Sequence, residues 1–253
     1  MNVFDETVVL IPSRMASTRL PNKPLADIGG TAMIVHVVRR GEAAEVGPVV
    51  VAACDAEVVE AVEMANGEVV MTDPELPSGS DRIAAALSIL DPGGVYRYVV
   101  NLQGDLPTID PDAIRACLRA LRETDAEIST LAALIHDEDE LANPNVVKAL
   151  TRFEGDKQVS LAESFARTLP EDWDGPHLHH IGIYAYRREA LERFVALPVS
   201  SREQSEKLEQ LRALDNGMRI AVALVDTVPF GVDTPADLDR ARALLAPSAA
   251  APQ

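Results

Sequence analysis

The sequence predicts an α/β fold with a central, mostly parallel sheet and a mixed-sheet extension. Short apolar runs rich in β-branched residues alternate with stretches of helical periodicity through the first half of the chain. Gly, Pro and Asn residues separate these segments, as expected for connections between strands and helices. Between about residues 145 and 187 successive short strand patterns replace this alternation. Alternating strands and helices favour a parallel sheet with right-handed crossovers, and the later strands favour a mixed addition to it.

The composition is that of an acidic globular protein. Its 253 residues carry a formal net charge of -17, and 47% of them are hydrophobic. Binding to a nucleic-acid polymer requires a broad basic surface, so we expect no such partner. No apolar run approaches the roughly 20 residues that span a bilayer, and the N-terminus does not resemble a signal peptide. We therefore expect a cytoplasmic protein with no membrane partner.

The same features predict how the chain is organised. We expect one domain over residues 1–245, with its extension at about 145–187, and a disordered tail over 246–253. Cys54 and Cys117 are too few for a disulfide framework or a thiolate metal site, so we expect two buried free thiols.

The first elements follow from apolar runs and turn residues. We expect a strand over Val8–Ile11 ended by Pro12, a helix from Ala32 ended by Gly41, a strand over Val49–Ala53, a helix capped by Asp55, a turn at Asn66–Gly67, and a strand over Glu68–Met71.

The loop after the first strand is a candidate ligand site. Arg14, Arg19 and Lys23 lie within ten residues of an acidic chain, and small residues such as Ser13 and Ser17 lie between or beside them. Small residues let backbone N–H groups approach a ligand, and guanidinium groups grip phosphate oxygens in pairs. The loop therefore favours a polyanion seat, although pairing with the protein's own carboxylates is the alternative.

A second candidate segment is PSGSDRIAAAL, residues 77–87. We expect Ser80 to cap a helix whose first turn contains Asp81, with the backbone N–H groups of Ser78 and Gly79 at its N-terminus. Arg82 would stand beside any anion bound there. Any serine-capped helix would look similar, so this motif alone is weak.

Two aspartates are candidate metal ligands. Asp105 follows the strand Tyr98–Leu102 and Gln103, and a carboxylate at that strand end suits Mg²⁺. Asp233 stands just before Thr234 in a distant segment. Its carboxylate could be a second ligand to the metal that Asp105 binds. The alternatives are helix-capping roles, although Asp110 already stands before the next helix after Asp105.

The extension contains three histidines and precedes an amphipathic helix. In a strand, His177 and His179 would share one face and His180 the other, so a three-histidine metal cage is disfavoured. Residues 201–214 read as one helix with Leu208, Leu211 and Leu214 facing inward and a solvated charged face.

Six segments together resemble the CMP-KDO synthetase (3-deoxy-manno-octulosonate cytidylyltransferase) family: PSRMASTRLPNKPL, SGSDR, QGDLP, HHIGIY, LEQLR and GVDTPADL. The resemblance covers almost the whole chain. It implies a Rossmann-like nucleotide-diphospho-sugar transferase fold, a homodimer formed through the extension, and transfer of CMP from CTP to a small anionic acceptor with release of pyrophosphate.

The resemblance also assigns roles to individual residues. It implies catalytic roles for Arg14, Arg19, Lys23 and Asp105; nucleotide contacts from Ser13, Ser17, Ser80, Arg82 and Gln103; acceptor contacts from Gln103, His180, Tyr184, Glu209 and Gln210; and Mg²⁺ ligation by Asp105 and Asp233. No side chain is an evident general base, so we expect catalysis by positioning and electrostatics.

The chain departs from the family on the acceptor side. Leu106 replaces an acid, and Phe165 and Ala166 stand where the family has a Ser-Arg pair, with Arg167 displaced by one position. We therefore expect either KDO or a compact phosphonate such as phosphonoformate as acceptor. Two other hypotheses are a catalytically silent nucleotide-sensing module of the same fold and a nucleotidyltransferase that uses another base.

Overall fold

The computed structural model describes residues 6–17 and 19–246, so the predicted tail lies outside the described residues except for Ala246. The described chain forms two compact units. The N-terminal unit comprises residues 8–17, 19–93, 102–111 and 229–246, and the central unit comprises residues 6–7, 94–101 and 112–228. The single domain expected over residues 1–245 stays a prediction.

The described residues form twelve strands and nine α-helices. The strands are β1 (Thr7–Ser13), β2 (Asp27–Ile28), β3 (Thr31–Ala32), β4 (Val49–Ala53), β5 (Glu68–Met71), β6 (Tyr98–Asn101), β7 (Ile128–Leu134), β8 (Lys148–Leu150), β9 (Val159–Leu161), β10 (Ser164–Ala166), β11 (Leu178–Arg187) and β12 (Ile220–Leu224). The helices are α1 (Met33–Ala43), α2 (Ala56–Met64), α3 (Gly79–Leu90), α4 (Pro111–Glu123), α5 (Glu138–Ala142), α6 (Arg188–Ala196), α7 (Ser201–Glu206), α8 (Gln210–Asp215) and α9 (Pro235–Leu245).

The N-terminal unit is built on parallel strands in the order β5, β4, β1. Every residue of β4 is buried, as expected for a strand covered on both faces. A separate apolar cluster joins α9 to the hairpin β2–β3 and the start of α1 through Leu238, Ile28 and Met33. Burial of this cluster fixes the last helix, and with it the segment that precedes the helix, onto the N-terminal unit.

Two predicted element ends are wrong in this unit. Pro12 does not end β1, because Pro12 pairs with Ala52 and the next residue still pairs in register. A proline removes only its own N–H from a ladder. Gly41 does not end α1, which continues to Ala43. A Cβ at Gly41 would lie 3.1 Å from Cγ1 of Val49, so this glycine permits close packing of α1 on β4.

The central unit contains the predicted mixed sheet. Its strands follow the order β6, β11, β7, β12, β9, and β8 pairs with both β10 and β11. The long strand β11 runs antiparallel to β6 and β7, whereas β12 is parallel to β7. The predicted α/β class, parallel in one part and mixed in the other, is confirmed.

The predicted helix over residues 201–214 is two helices. Lys207 has a left-handed backbone with φ 56°, which separates α7 from α8. A single bulky residue can take this conformation only where its surroundings hold it, because it is strained. Leu208 and Leu211 are buried as predicted, and Leu214 is half-buried.

Both cysteines are free thiols, but only one of them is fully buried. Burial raises the pKa of Cys117 to about 12, whereas Cys54 is half-buried rather than buried. Cys54 ends up there because it follows the last residue of β4, where the chain leaves the sheet. Within the described residues no helix combines the length and the apolar character needed to cross a membrane.

Candidate functional site

A cavity of about 440 Å³ lies within the N-terminal unit, at the carboxyl end of β1. The loop after β1, the N-terminus of α3 and the segment Gln103–Asp105 line it. Eight of the residues predicted to bind nucleotide or metal line this cavity: Ser13, Arg14, Ser17, Arg19, Lys23, Arg82, Gln103 and Asp105. The cavity lies where open α/β sheets bind ligands, because loops diverge at the carboxyl ends of parallel strands.

The loop after β1 presents its polar groups in different ways. Arg14 is exposed and makes no ion pair with any described residue, so its guanidinium is available to an anion. The hydroxyl of Ser13 is buried and has no hydrogen-bond partner among the described residues. Asn22 takes a left-handed backbone with φ 57° and leads into a 3-10 helix over Lys23–Leu25, which holds Lys23 at the cavity.

Lys23 is the centre of an ion cluster. Its Nζ donates to Oδ2 of Asp105 at 2.8 Å and to Oδ1 of Asp233 at 2.9 Å. Partial burial lowers the pKa of Lys23, but the charges and hydrogen bonds of the two carboxylates outweigh that effect, so the pKa lies above its ordinary value. Lys23 is therefore a cation at neutral pH. The alternative of pairing with the protein's own carboxylates is thus observed for Lys23.

Asp233 is not a helix cap. Thr234 caps α9 in a capping box with Asp237, whose Oδ2 accepts the backbone N–H groups of Asp233 and Thr234. The carboxylate of Asp233 is left for Lys23 and for Nη2 of Arg19, which lies 3.0 Å away. The backbone N–H of Val232 also donates to the carbonyl of Asp105 at 2.9 Å. This bond sets the two distant aspartates side by side.

The N-terminus of α3 faces the cavity through Ser78 and Gly79. Ser78, not Ser80, is the N-cap, because its Oγ accepts the backbone N–H of Asp81. Ser80 is the second residue of the helix, is buried and does not line the cavity, so its predicted capping position is wrong. A helix N-terminus favours bound anions through its free N–H groups and its dipole.

Arg82 lines the cavity but is mostly buried. Its Nη1 donates to Oγ1 of Thr72 at 2.6 Å and to the carbonyl of Asp73 at 3.0 Å. Both acceptors are neutral, and the guanidinium brings a positive charge to the cavity wall. Gly104 closes the same wall, where a Cβ would lie 3.0 Å from the carbonyl oxygen of Pro12.

The two aspartates fit the requirements of Mg²⁺. Oxygens from both carboxylates lie within 2.9 Å of one cation, the ammonium of Lys23. Mg²⁺ prefers hard oxygen ligands and takes one or two carboxylates together with phosphate oxygens and water. No group of three or more His, Cys, Asp or Glu side chains suited to a metal occurs among residues 6–17 and 19–246. The carboxylates of Asp105 and Asp233 are the side chains here that would hold such an ion.

The predicted acceptor residues other than Gln103 lie in the central unit. His180 and Tyr184 stand on β11 with ring centroids 5.6 Å apart. Burial raises the pKa of Tyr184 well above its ordinary value, and the charges of Tyr186 and Glu209 add to the effect. Glu209 immediately precedes α8, and Gln210 is its buried first residue. Contact with an acceptor stays a prediction for all of them.

The histidines of the extension differ in position and partner. His177 precedes β11, His179 pairs with Glu140 through Nδ1 at 2.5 Å, and His180 pairs with Thr130. His180 is buried, and burial together with the charge of His179 lowers its pKa to about 3. His180 is therefore a neutral hydrogen-bonding group in the folded protein.

Arg167 contacts backbone carbonyls of its own unit. Its Nε donates to the carbonyl of Glu206 at 2.6 Å, and its Nη1 donates to that of Pro144 at 3.1 Å. Lys148, which is fully buried, holds the carbonyl of Arg167 itself at 2.9 Å. Arg167 thus braces the junction between α7 and α8.

Asp55 contacts the backbone of the cavity loop, a role that the sequence did not reveal. It stands at the N-cap of α2 as predicted, but its side chain makes no cap hydrogen bond. Its Oδ2 instead accepts the backbone N–H of Met15, in the cavity loop, at 2.8 Å. An Asp before a helix ordinarily indicates a cap, so the sequence carried no signal for this contact.

The chain is similar to known proteins over most of its length. A family model described as cytidylyltransferase matches residues 8–220. The chain is 57% identical over 238 residues to a 3-deoxy-manno-octulosonate cytidylyltransferase of Paramagnetospirillum magneticum, which covers 94% of this chain and 97% of that protein. It is 60% identical over 239 residues to the enzyme of the same description from Parvibaculum lavamentivorans, with coverage of 94% and 92%.

The fold has a solved counterpart. The structure of CMP:2-keto-3-deoxy-manno-octonic acid synthetase complexed with CTP superposes with a TM-score of 0.86 and 38% sequence identity, covering 95% of this chain and 98% of that one. The predicted fold class and the resemblance are both confirmed. The chain is therefore a nucleotidyltransferase and belongs to the cytidylyltransferase family, with the CMP-KDO synthetases.

Proposed function

We propose that this enzyme transfers CMP from CTP to 3-deoxy-manno-octulosonate, KDO, and releases pyrophosphate. The observation that carries the proposal is the carboxylate pair Asp105 and Asp233 on one cation, the ammonium of Lys23, which lines a cavity together with Asp105 and three arginines. Identity of 57–60% to relatives of that description over nearly the whole chain supports both substrates. The CTP named in the solved counterpart supports the nucleotide.

In the reaction an acceptor oxygen attacks the α-phosphorus of CTP. A new P–O bond forms while the bond to the β-phosphate oxygen breaks, and the acceptor proton leaves to solvent. Arg14, Arg19 and Lys23 provide positive charge for the triphosphate, and the N–H groups at the start of α3 add their dipole. Catalysis then follows from positioning and charge stabilisation, as in other phosphoryl transfers.

Mg²⁺ is the proposed cofactor, with Asp105 and Asp233 as its protein ligands. When bound, it would neutralise charge on the phosphate oxygens as the leaving group departs. The two aspartates hold their carboxylates together through the bond between Val232 and Asp105. Lys23 provides a further positive charge at the same place.

KDO is the acceptor that the relatives favour, and they give the phosphonate alternative no support. Phe165 is buried at its position in β10, and Leu106 is mostly buried, so both departures lie in packed surroundings. We propose that His180, Tyr184, Glu209 and Gln210 contact the acceptor.

Steady-state kinetics of pyrophosphate release with CTP and Mg²⁺ test the proposal. KDO, phosphonoformate and other sugar acids are compared as acceptors, and CTP is compared with UTP, GTP and ATP. Among these pairs we expect efficient turnover only with CTP and KDO, and for Asp105→Asn, the control, turnover lower by on the order of a hundredfold or more. If phosphonoformate is turned over and KDO is not, the assignment of KDO as acceptor is wrong. CTP binding with no turnover of any acceptor would indicate a silent module.

We also propose that the enzyme is a homodimer formed through the central unit. The strand β9 lies at the end of the sheet, and Leu161 on this strand is 42% exposed. An edge strand has unpaired backbone groups and can pair with another chain. Light scattering after size exclusion measures the mass directly, and a monomer at micromolar concentration would contradict the proposal.

A further inference from the structure

The ammonium of Lys23 occupies the place between the two proposed metal ligands. It lies 2.8 Å from Oδ2 of Asp105 and 2.9 Å from Oδ1 of Asp233. Arg19 holds the other oxygen of Asp233 at 3.0 Å. The side chain of Lys23 is only 15% exposed, so this contact is shielded from solvent more than an ordinary surface pair.

The charges of this cluster balance. Two carboxylates face one ammonium and one guanidinium, and ion pairs at hydrogen-bond distance link all four groups in one chain. A divalent ion that enters alone must displace the ammonium or lie beside two fixed positive charges. Either path costs free energy, because the displaced cation would leave a half-buried cluster without a new partner.

We propose that Lys23 and Arg19 form a latch on Asp105 and Asp233 that keeps divalent metal from binding before the nucleotide. The triphosphate offers both cations a new anionic partner, and their transfer to it frees the carboxylates for the metal. Metal and nucleotide therefore bind with strong positive coupling, and each raises the affinity for the other by the same factor. The inference rests on the proposed function, since it takes CTP and Mg²⁺ as the ligands.

Mn²⁺ binding, followed by electron paramagnetic resonance of the free ion, tests the latch. The wild-type protein should bind Mn²⁺ weakly alone and much more tightly with CTP, in the absence of any acceptor. Lys23→Met should bind Mn²⁺ alone about tenfold more tightly than wild type, which corresponds to a coupling of the usual size. The increase in Mn²⁺ affinity that CTP causes should be smaller in Lys23→Met than in the wild type by a similar factor.

Arg14→Met is the matched control, because it removes one positive charge from the same cavity without touching either aspartate. We expect its affinity for Mn²⁺ alone to change by no more than about threefold, the effect of a screened surface charge. Lys23→Gln keeps a hydrogen-bond donor and is the second variant in case Lys23→Met does not fold. A variant is used for binding only if its melting temperature equals that of the wild type.

Equal Mn²⁺ affinity of wild type and both Lys23 variants in the absence of CTP would overturn the latch. So would a Lys23 effect no larger than that of Arg14→Met. These outcomes are separate from the proposed function, which is judged by turnover of the wild-type enzyme with CTP and KDO.

Discussion

Asp55 accepts the backbone N–H of Met15 at 2.8 Å while leaving the N-terminus of its own helix without a side-chain cap. A cap of this kind is worth about 1 kcal/mol to a helix. The carboxylate is directed instead to the loop that carries Ser13 and Arg14 into the cavity. Asp55 is therefore a positioning residue for the cavity loop rather than a helix cap.

Asp55→Ala should weaken nucleotide binding. We expect KM for CTP to rise about tenfold, the loss of one hydrogen bond to a charged group, while KM for the acceptor stays unchanged. Asp55→Asn, whose side-chain oxygen can still accept the Met15 N–H, should recover most of the loss. Initial-rate kinetics with each substrate varied in turn measure both constants.

Glu57→Ala on the same helix is the control for this prediction, because Glu57 is exposed and in the first turn of α2. A rise in both KM values, or an equal effect of Glu57→Ala, would contradict a specific role for Asp55 in the loop.

Lys23→Ala and Asp105→Asn should each lower turnover by on the order of a hundredfold or more, because each removes a preorganised charge from the phosphate site. Circular dichroism should show a folded protein in both cases, since the pair lies in a cavity rather than in the apolar core. Pyrophosphate release near the wild-type rate from either variant would refute the assignment of this cavity as the active site.

Arg167→Met should raise KM for the acceptor by about tenfold and leave KM for CTP unchanged. The guanidinium donates to the carbonyl of Glu206, just ahead of Glu209, and to that of Pro144, so its loss leaves both carbonyls without this donor. Arg202→Met removes an exposed arginine of α7 that pairs with Asp215 and serves as the control. An unchanged acceptor KM in the Arg167→Met variant would show that the brace does not affect the acceptor residues.

The buried His180 should make the protein less stable as the pH is lowered. Its pKa is about 3 when folded, against about 6.5 in an unfolded chain, so below pH 6.5 the unfolded chain binds a proton that the folded protein does not. The free energy of unfolding should therefore decrease by up to about 1.4 kcal/mol for each pH unit between about pH 6 and pH 4 from this group. In His180→Gln the free energy of unfolding, measured by urea unfolding at several pH values, should change less steeply with pH, by the contribution of one proton. An identical slope in the two proteins would place the imidazole in solvent.

The local sequence pattern determined several secondary-structure elements of this protein and the location of its candidate site motifs. The buried strand β4 and the turn at Asn66 follow from residue types a few positions apart, and each was predicted from them. The motifs around Lys23, Asp105 and Asp233 likewise indicated a phosphate and metal site, because charge at a strand end or before a helix is visible in the sequence.

Only the tertiary structure decided where those charges go. The sequence separates Lys23 from Asp233 by 210 positions, and their contact arises from packing of α9 on the N-terminal unit. The same holds for Asp55, which reads locally as a cap but finds a backbone N–H 40 positions away. Propensities act over a few residues, whereas the partner of a polar side chain is set by burial of the whole core, which brings distant segments together and requires their polar groups to pair.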